Sequence, residues 1–183
     1  MYDPAKHRRR SIRLPGYDYS QPGYYFVTIC SYQRQCLFGQ IVNGEMQLNQ
    51  YGEIVREEWL KSLIIRPEIE LDRYVVMPNH FHGIVIINTV RANSGSPLPS
   101  TSVHNNFSMK PRSLSSIMAG FKSSVTKNIN LIRHAPGTPV WQRNYYEHII
   151  CTEESLNRIR TYIDNNPLSW HLDQLHPNNP SKW

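Results

Sequence analysis

The sequence predicts an α+β fold on a mostly antiparallel sheet, and three observations carry that prediction. Strand-type and helix-type stretches mix along the chain without the regular alternation that builds a parallel sheet. Short turn signals join neighbouring strand-type stretches: Asn43-Gly44 in one place, Met77-Pro78-Asn79 in another. Apolar residues also recur at three- and four-residue spacing in separate blocks, which marks amphipathic helices between and after the strands.

Taken in order, residues 1–22 are basic, contain Tyr and Pro, and lack periodicity; they read as an arm. Residues 24–31 are β-branched and aromatic, a strand signal. Asn43-Gly44 between Gln40-Ile41-Val42 and Met46-Gln47-Leu48 predicts a hairpin. Ile54, Val55, Trp59 and Leu63 give helical spacing over 51–63. Residues 69–77 and 80–87 read as two strands. The stretch 88–112 is rich in Ser, Pro and Asn, longer than an ordinary connection, and is expected to be mobile. Leu114, Ile117, Met118, Phe121, Val125, Ile129 and Ile132 then define an amphipathic helix. A short strand is expected within 140–151. A last helix starts near Thr152, an N-cap residue followed by Glu153 and Glu154, and stops at Pro167. The organisation expected is an arm over 1–22, a domain over 23–170 with a loop at 88–112, and a tail over 171–183.

At 183 residues, 39% hydrophobic and 19% charged, the chain suits one globular domain and excludes a disordered protein. Its longest apolar runs fall well short of the roughly 20 residues that span a bilayer. The N-terminus opens Met-Tyr-Asp-Pro without an apolar signal core, so a cytoplasmic location is expected. Cys30, Cys36 and Cys151 lack C-x-x-C spacing and read as free thiols. The formal charge is +6, and it clusters. Lys6, Arg8, Arg9, Arg10 and Arg13 crowd the arm; Lys110 and Arg112 precede the helix that carries Lys122 and Lys127. Such clusters suit either a solvated surface or a polyanionic partner.

His80-Phe81-His82 opens an apolar strand. Strand side chains alternate faces, so the two imidazoles share one side, with Cα atoms about 6.6 Å apart, and can converge on one divalent ion. Two polar residues on an exposed strand face would give the same pattern. A histidine-triad hydrolase would want a third His at position 84, which is Ile. A two-histidine phosphoesterase would want a second H-x-S/T strand, which His104, His134, His148, His171 and His176 do not supply. On the last helix, Leu156, Ile159 and Ile163 mark the buried stripe; Tyr162 flanks it, and Asn166 lies one turn on. Packing with a wet hydroxyl is the commoner fate of such a tyrosine.

Three ordered blocks carry a resemblance. Met77-Pro78-Asn79-His80-Phe81-His82-Gly83, Trp141-Gln142-Arg143-Asn144-Tyr145-Tyr146-Glu147-His148 and Tyr162-Ile163-Asp164-Asn165-Asn166-Pro167 resemble the signature of single-tyrosine HUH transposases of the IS200/IS605 group. Within that group the likeness is closest to the REP-associated tyrosine transposases, and it runs over about residues 24–168.

The resemblance implies an antiparallel sheet of four or five strands flanked by helices, ferredoxin-like or RRM-like. It implies His80 and His82 as paired metal ligands, Tyr162 as the nucleophile, and Asn166 as a further ligand where compact members have Gln. It implies Mg²⁺ or Mn²⁺ as cofactor and single-stranded or hairpin DNA as partner. The activity implied is single-strand cleavage and strand transfer through a 5′-phosphotyrosine. Both a monomer and a homodimer stay open, because compact members build the site from two chains and the REP-associated branch resembles single-chain enzymes. Loop 88–112, the arm and the Asn43-Gly44 hairpin depart from the compact pattern. Phosphodiester transfer needs positioning and charge neutralisation more than elaborate covalent machinery, which suits these residue types. Backbone contacts are expected from Arg8, Arg9, Arg10, Lys110, Arg112, Lys122, Lys127 and Arg143, with Tyr145 and Tyr146 for stacking or for sheet packing. His148 is a candidate helper or a structural strand residue. A catalytically silent DNA- or RNA-binding protein on the same fold is the alternative; an RRM-type RNA binder would want stacking aromatics on its central strands, which Val-Val-Met and Ile-Val-Ile-Ile are not.

Overall fold

The β-branched and aromatic stretch near the start of the chain forms β1, Gly23–Cys30. It becomes a central strand of a four-stranded sheet, order β4-β5-β1-β6, with β4 Ile69–Met77, β5 His80–Ile87 and β6 Tyr146–Ile150. Every pairing in it is antiparallel. The coordinates are a computed structural model describing residues 14, 16–88 and 110–179. The arm residues Arg8, Arg9 and Arg10 and most of the expected mobile loop, 89–109, lie outside the described residues.

Asn49 caps α1, Gln50–Ile65, by accepting from the backbone N–H groups of Tyr51 and Gly52. Ser113 caps α2, Leu114–Ile132, and Thr152 caps α3, Glu153–Asn165. The predicted hairpin forms as β2, Gly39–Val42, and β3, Glu45–Leu48. Asn43 and Gly44 have φ of 52° and 80°, the paired left-handed residues that a two-residue hairpin turn requires. With that hairpin set aside, the chain runs β1-α1-β4-β5-α2-β6, the ferredoxin-like order, with α3 added after it.

Alternation along β1 and β5 sends side chains to two different cores. Tyr25, Val27 and Ile29 of β1 and Phe81 and Val85 of β5 pack under α1 and α2. Trp59 of α1 sits 4.7 Å, ring to ring, from Phe81. On the opposite face, Phe26, Ile84 and Ile150 pack against Leu156 and Ile163 of α3. His80 and His82 alternate with Phe81, so they belong to the α3 face.

The structure adds detail to the sequence expectation at three places. Helix α1 does not bury Leu63, which stays 42% exposed, and it turns Glu58 and Ser62 inward instead. Glu58 is satisfied there by Lys61, by Ser124 and Asn128 of α2, and so ties the two helices through polar contacts. The short strand expected within 140–151 forms over Tyr146–Ile150, and the residues before it bridge elsewhere: Trp141 pairs with Ser31, and Tyr32 N–H donates to Val140 O. Finally, segments expected as arm and tail contribute to the folded body. Tyr17 and Tyr19 pack on the first core, and Asn79 of the β4–β5 turn donates to the backbone of Leu175.

Candidate metal and nucleophile site

His80 and His82 are 0% and 2% exposed, so they are not polar residues on a wet strand face. Their surroundings are polar and specific. Asn79 Oδ1 lies 2.8 Å from His80 Nδ1. An amide oxygen only accepts, so Nδ1 carries the proton and Nε2 keeps a lone pair. The Asn79 amide cannot reverse this, because its Nδ2 donates to Arg34 O and to Leu175 O at 3.2 and 2.7 Å. His80 Nε2 is buried without a hydrogen-bond partner.

Strand register brings Thr28 beside His82. The Thr28 hydroxyl is 2.8 Å from His82 Nδ1, and the Tyr162 hydroxyl is 3.2 Å from His82 Nε2. A neutral imidazole that donates from Nδ1 to Thr28 leaves Nε2 to accept from Tyr162. Burial holds the His80 pKa down to about 4, with the Asp173 charge and Asn166 opposing it. Burial, then the neighbouring His80, holds His82 well below the ordinary range. Both rings are therefore neutral near pH 7, the form that binds metals.

Helix α3 supplies the other half. Its apolar stripe, Leu156 and Ile163, docks on the sheet and sets Tyr162 at the border, its ring T-shaped to that of Phe26. Tyr162 is 46% exposed at the mouth of the site while its hydroxyl turns in to His82. Burial first, then the Asp173 charge, pushes the phenol up to about 12, against the opposing effect of Asn166. One turn on, Asn166 is 3% exposed and its Oδ1 has no partner.

Asp173 was missed by sequence reasoning. It lies in the segment expected as a tail, and its one signal was being the sole acidic residue after Asp164. Its side chain is 6% exposed, and its Oδ2 stands 3.8 Å from His80 Nε2. His80, His82 and Asp173 each offer a ligand atom, all within 4.8 Å of one another. His80 Nε2 and Asn166 Oδ1 are buried without a hydrogen-bond partner, and the Asn166 amide reaches Asp173 Oδ2 at 3.3 Å, so the donor set fits a divalent cation.

The site opens into a cleft of about 550 Å³ lined by His82, Tyr162, Asn166, Asp173, Arg34 and Tyr146, among others. Of the basic residues named from sequence, Lys110, Lys122 and Arg143 line one groove of about 650 Å³ with Tyr17 and Tyr145. Lys122, Lys127 and Arg143 line another of about 460 Å³. Tyr145 borders both the first groove and the site cleft. Lys110 pairs with Asp18 at 2.6 Å, and Lys122 donates to the carbonyls of Gln142 and Arg143. Arg112 is exposed in the turn before α2 with φ of 56° and lines neither groove. His148 is exposed on β6 and does not line the site cleft.

No family model matches the chain. An uncharacterized protein of Haemophilus influenzae is 42% identical over 180 residues, which is 96% of this chain and 97% of the relative. Among solved structures, a REP-associated tyrosine transposase bound to a REP hairpin matches with a TM-score of 0.56 and 20% identity, over 95% of this chain and 90% of its own. No helix among the described residues is long and apolar enough to cross a membrane. The chain thus belongs to one family with the Haemophilus influenzae protein, and it has the fold of a REP-associated tyrosine transposase.

Proposed function

We propose that this chain is a metal-dependent, single-strand DNA endonuclease and strand transferase of the tyrosine HUH class, with Tyr162 as nucleophile. The observation that carries the reading is the meeting of the Tyr162 hydroxyl and His82 Nε2 at 3.2 Å, beside the two buried, unpartnered acceptors His80 Nε2 and Asn166 Oδ1. The fold-level relative is bound to a REP hairpin, which favours hairpin-forming DNA as the substrate class.

His80, His82 and Asn166 would hold the ion, which when bound supplies Lewis-acid polarisation of a phosphate oxygen. Mg²⁺ and Mn²⁺ are the ions proposed, the imidazoles favouring tighter Mn²⁺ binding. The His82 lone pair bonds one partner at a time, so His82 would hold either a cation or the Tyr162 hydroxyl there, not both. Tyr162 Oη forms a bond to phosphorus while the bond to the 3′ oxygen breaks. The phenol proton leaves to water at the half-exposed mouth of the site, and the departing 3′ oxygen takes one up. A 5′-phosphotyrosine and a free 3′-hydroxyl result, and attack by a second 3′-hydroxyl reverses the step as strand transfer. The groove with Lys110, Lys122 and Arg143, which meets the cleft at Tyr145, suits a strand leading toward the site. Tyr162 meets the His82 of its own chain, so we read a nucleophile acting in cis.

Labelled single-stranded hairpin DNAs incubated with Mn²⁺ and resolved on denaturing gels test this reading. The wild type should give a 5′-linked adduct and Tyr162→Phe none. Binding without an adduct across a randomised DNA pool would move the assignment to a binding protein on this fold. Mixing His80→Ala and Tyr162→Phe chains should not restore cleavage; rescue would mean that two chains share a site.

A further inference from the structure

We propose that Asp173 is the anionic ligand of the divalent metal centre, delivered by the folded turn after α3, so that the centre consists of His80, His82, Asn166 and Asp173. The inference rests on the metal-dependent reading above and adds to it a ligand from outside the sequence blocks that suggested that reading.

The argument is one of donors and acceptors. Asn79 occupies His80 Nδ1, so Nε2 is the ring atom turned to Asp173 Oδ2, 3.8 Å away and without a hydrogen bond. Asn166 Oδ1 is a further acceptor without a partner. Acceptor atoms of His80 and Asp173 thus converge in a buried space beside the Asn166 amide. The donors reaching Asp173 are Asn166 Nδ2 at 3.3 Å and the Leu175 N–H at 2.6 Å, the latter on Oδ1. Among the described residues, no Lys or Arg pairs with this carboxylate, and His80 stands 3.8 Å from it without a hydrogen bond. Buried charges are stable when paired or when bound to a metal ion, and here a cation is the missing partner. The spacing suits one: two ligands opposed across an ion at about 2.1 Å are about 4.2 Å apart, and the His80, His82 and Asp173 ligand atoms lie within 4.8 Å of one another.

Asp173 is held in place. The chain turns tightly after α3, with Ser169 N–H bonded to Asn165 O and Asp173 N–H to Trp170 O. The Trp170 ring lies 5.8 Å from His80 and 4.8 Å from His176, centroid to centroid. Leu175 O accepts from Asn79, and Asp173 O accepts from Asn179 Nδ2. The same Asn79 amide therefore orients His80 and anchors the turn that brings Asp173. A carboxylate in the set also moves its preference toward harder ions such as Mn²⁺ and Mg²⁺.

The test is Mn²⁺ binding by the EDTA-stripped full chain, read by calorimetry and by loss of the free-ion EPR signal, for wild type, Asp173→Asn, Asp173→Ala and His80→Ala. Asp173→Asn and Asp173→Ala should weaken Mn²⁺ binding by about 10–100-fold or more, using the loss seen for outer-shell partners as a lower bound. Thermal melts separate a ligand from a merely structural residue. In EDTA, Asp173→Asn should melt at or above the wild type, because a charge among acceptors is gone, and it should gain far less from added Mn²⁺. Wild-type affinity in both Asp173 variants, with binding lost in His80→Ala, would overturn the Asp173 assignment and leave the proposed function standing. A lower melt of Asp173→Asn in EDTA with Mn²⁺ affinity intact would make Asp173 structural. No Mn²⁺ uptake by the wild type would sink both.

Discussion

Asn79 Oδ1 stands 2.8 Å from His80 Nδ1, and the same side chain donates to Arg34 O and Leu175 O. One amide thus sets the tautomer of a candidate ligand and pins two segments that frame the site. Asn79→Ala should reduce Mn²⁺ affinity by about 10–100-fold, the usual effect of losing an outer-shell partner. It should also lower stability by about 1–3 kcal/mol, because buried backbone carbonyls lose their donors. Asn79→Asp keeps an acceptor for His80 but loses the donors, so it should hurt stability more than affinity. Calorimetry and thermal melts separate the two effects.

The placement of Tyr162 depends on how α3 is tied to the sheet. Arg160 reaches back to Asp72 of β4, with Nε and Nη2 both on Oδ2 at 2.9 and 2.5 Å. Asp72→Asn should cost about 1 kcal/mol, a figure kept small because solvent screens the partly exposed Arg160. The larger effect should be on rate: a loosened α3 misplaces the phenol, so adduct formation slows several-fold while Mn²⁺ affinity stays unchanged. An equal loss of both would mean that the whole site had collapsed.

Gly83 follows His82 and faces α1. A Cβ there would lie 2.8 Å from ring atoms of both Trp59 and Phe81. Gly83→Ala should therefore overpack the first core and cost about 1–3 kcal/mol. A denaturant melt with an unchanged slope and an earlier midpoint is the expected result. Wild-type stability would mean that the aromatic pair has room to move.

The thiols give a pH test. Cys30 lines the site cleft, and burial pushes its thiol up to about 11. Only the thiolate is nucleophilic, so alkylation of Cys30 should be slow near neutrality. Its rate should rise about tenfold per pH unit as pH climbs toward that value. The exposed Cys151 should be modified well before it. Mass spectrometry of peptides after timed iodoacetamide treatment measures both rates.

Strand β1, the Asn43-Gly44 hairpin, the β4–β5 pair and all three helices were legible because each rests on a local rule. Alternation, a turn needing left-handed residues and a three-four apolar spacing are written in neighbouring positions. The burial of Glu58 in place of Leu63 was not legible, because its partners Ser124 and Asn128 lie on another helix. At the site, the shared face of His80 and His82 followed from strand alternation, and the common edge of Tyr162 and Asn166 from helical spacing. That these two pairs face each other could not follow from either rule.

The sequence by itself determined which side chains share a face, where each helix begins, and the ordered motifs that resemble a tyrosine nuclease. Tertiary structure alone decided which faces meet. The sheet order puts β5 beside β1, which gives His82 its Thr28 partner. Docking of the α3 stripe on that face brings Tyr162 across 80 positions of sequence to His82. The turn after α3 brings Asp173 to His80 by the same logic. Contacts between residues so far apart are set by which apolar faces must bury one another, and no local pattern encodes that choice.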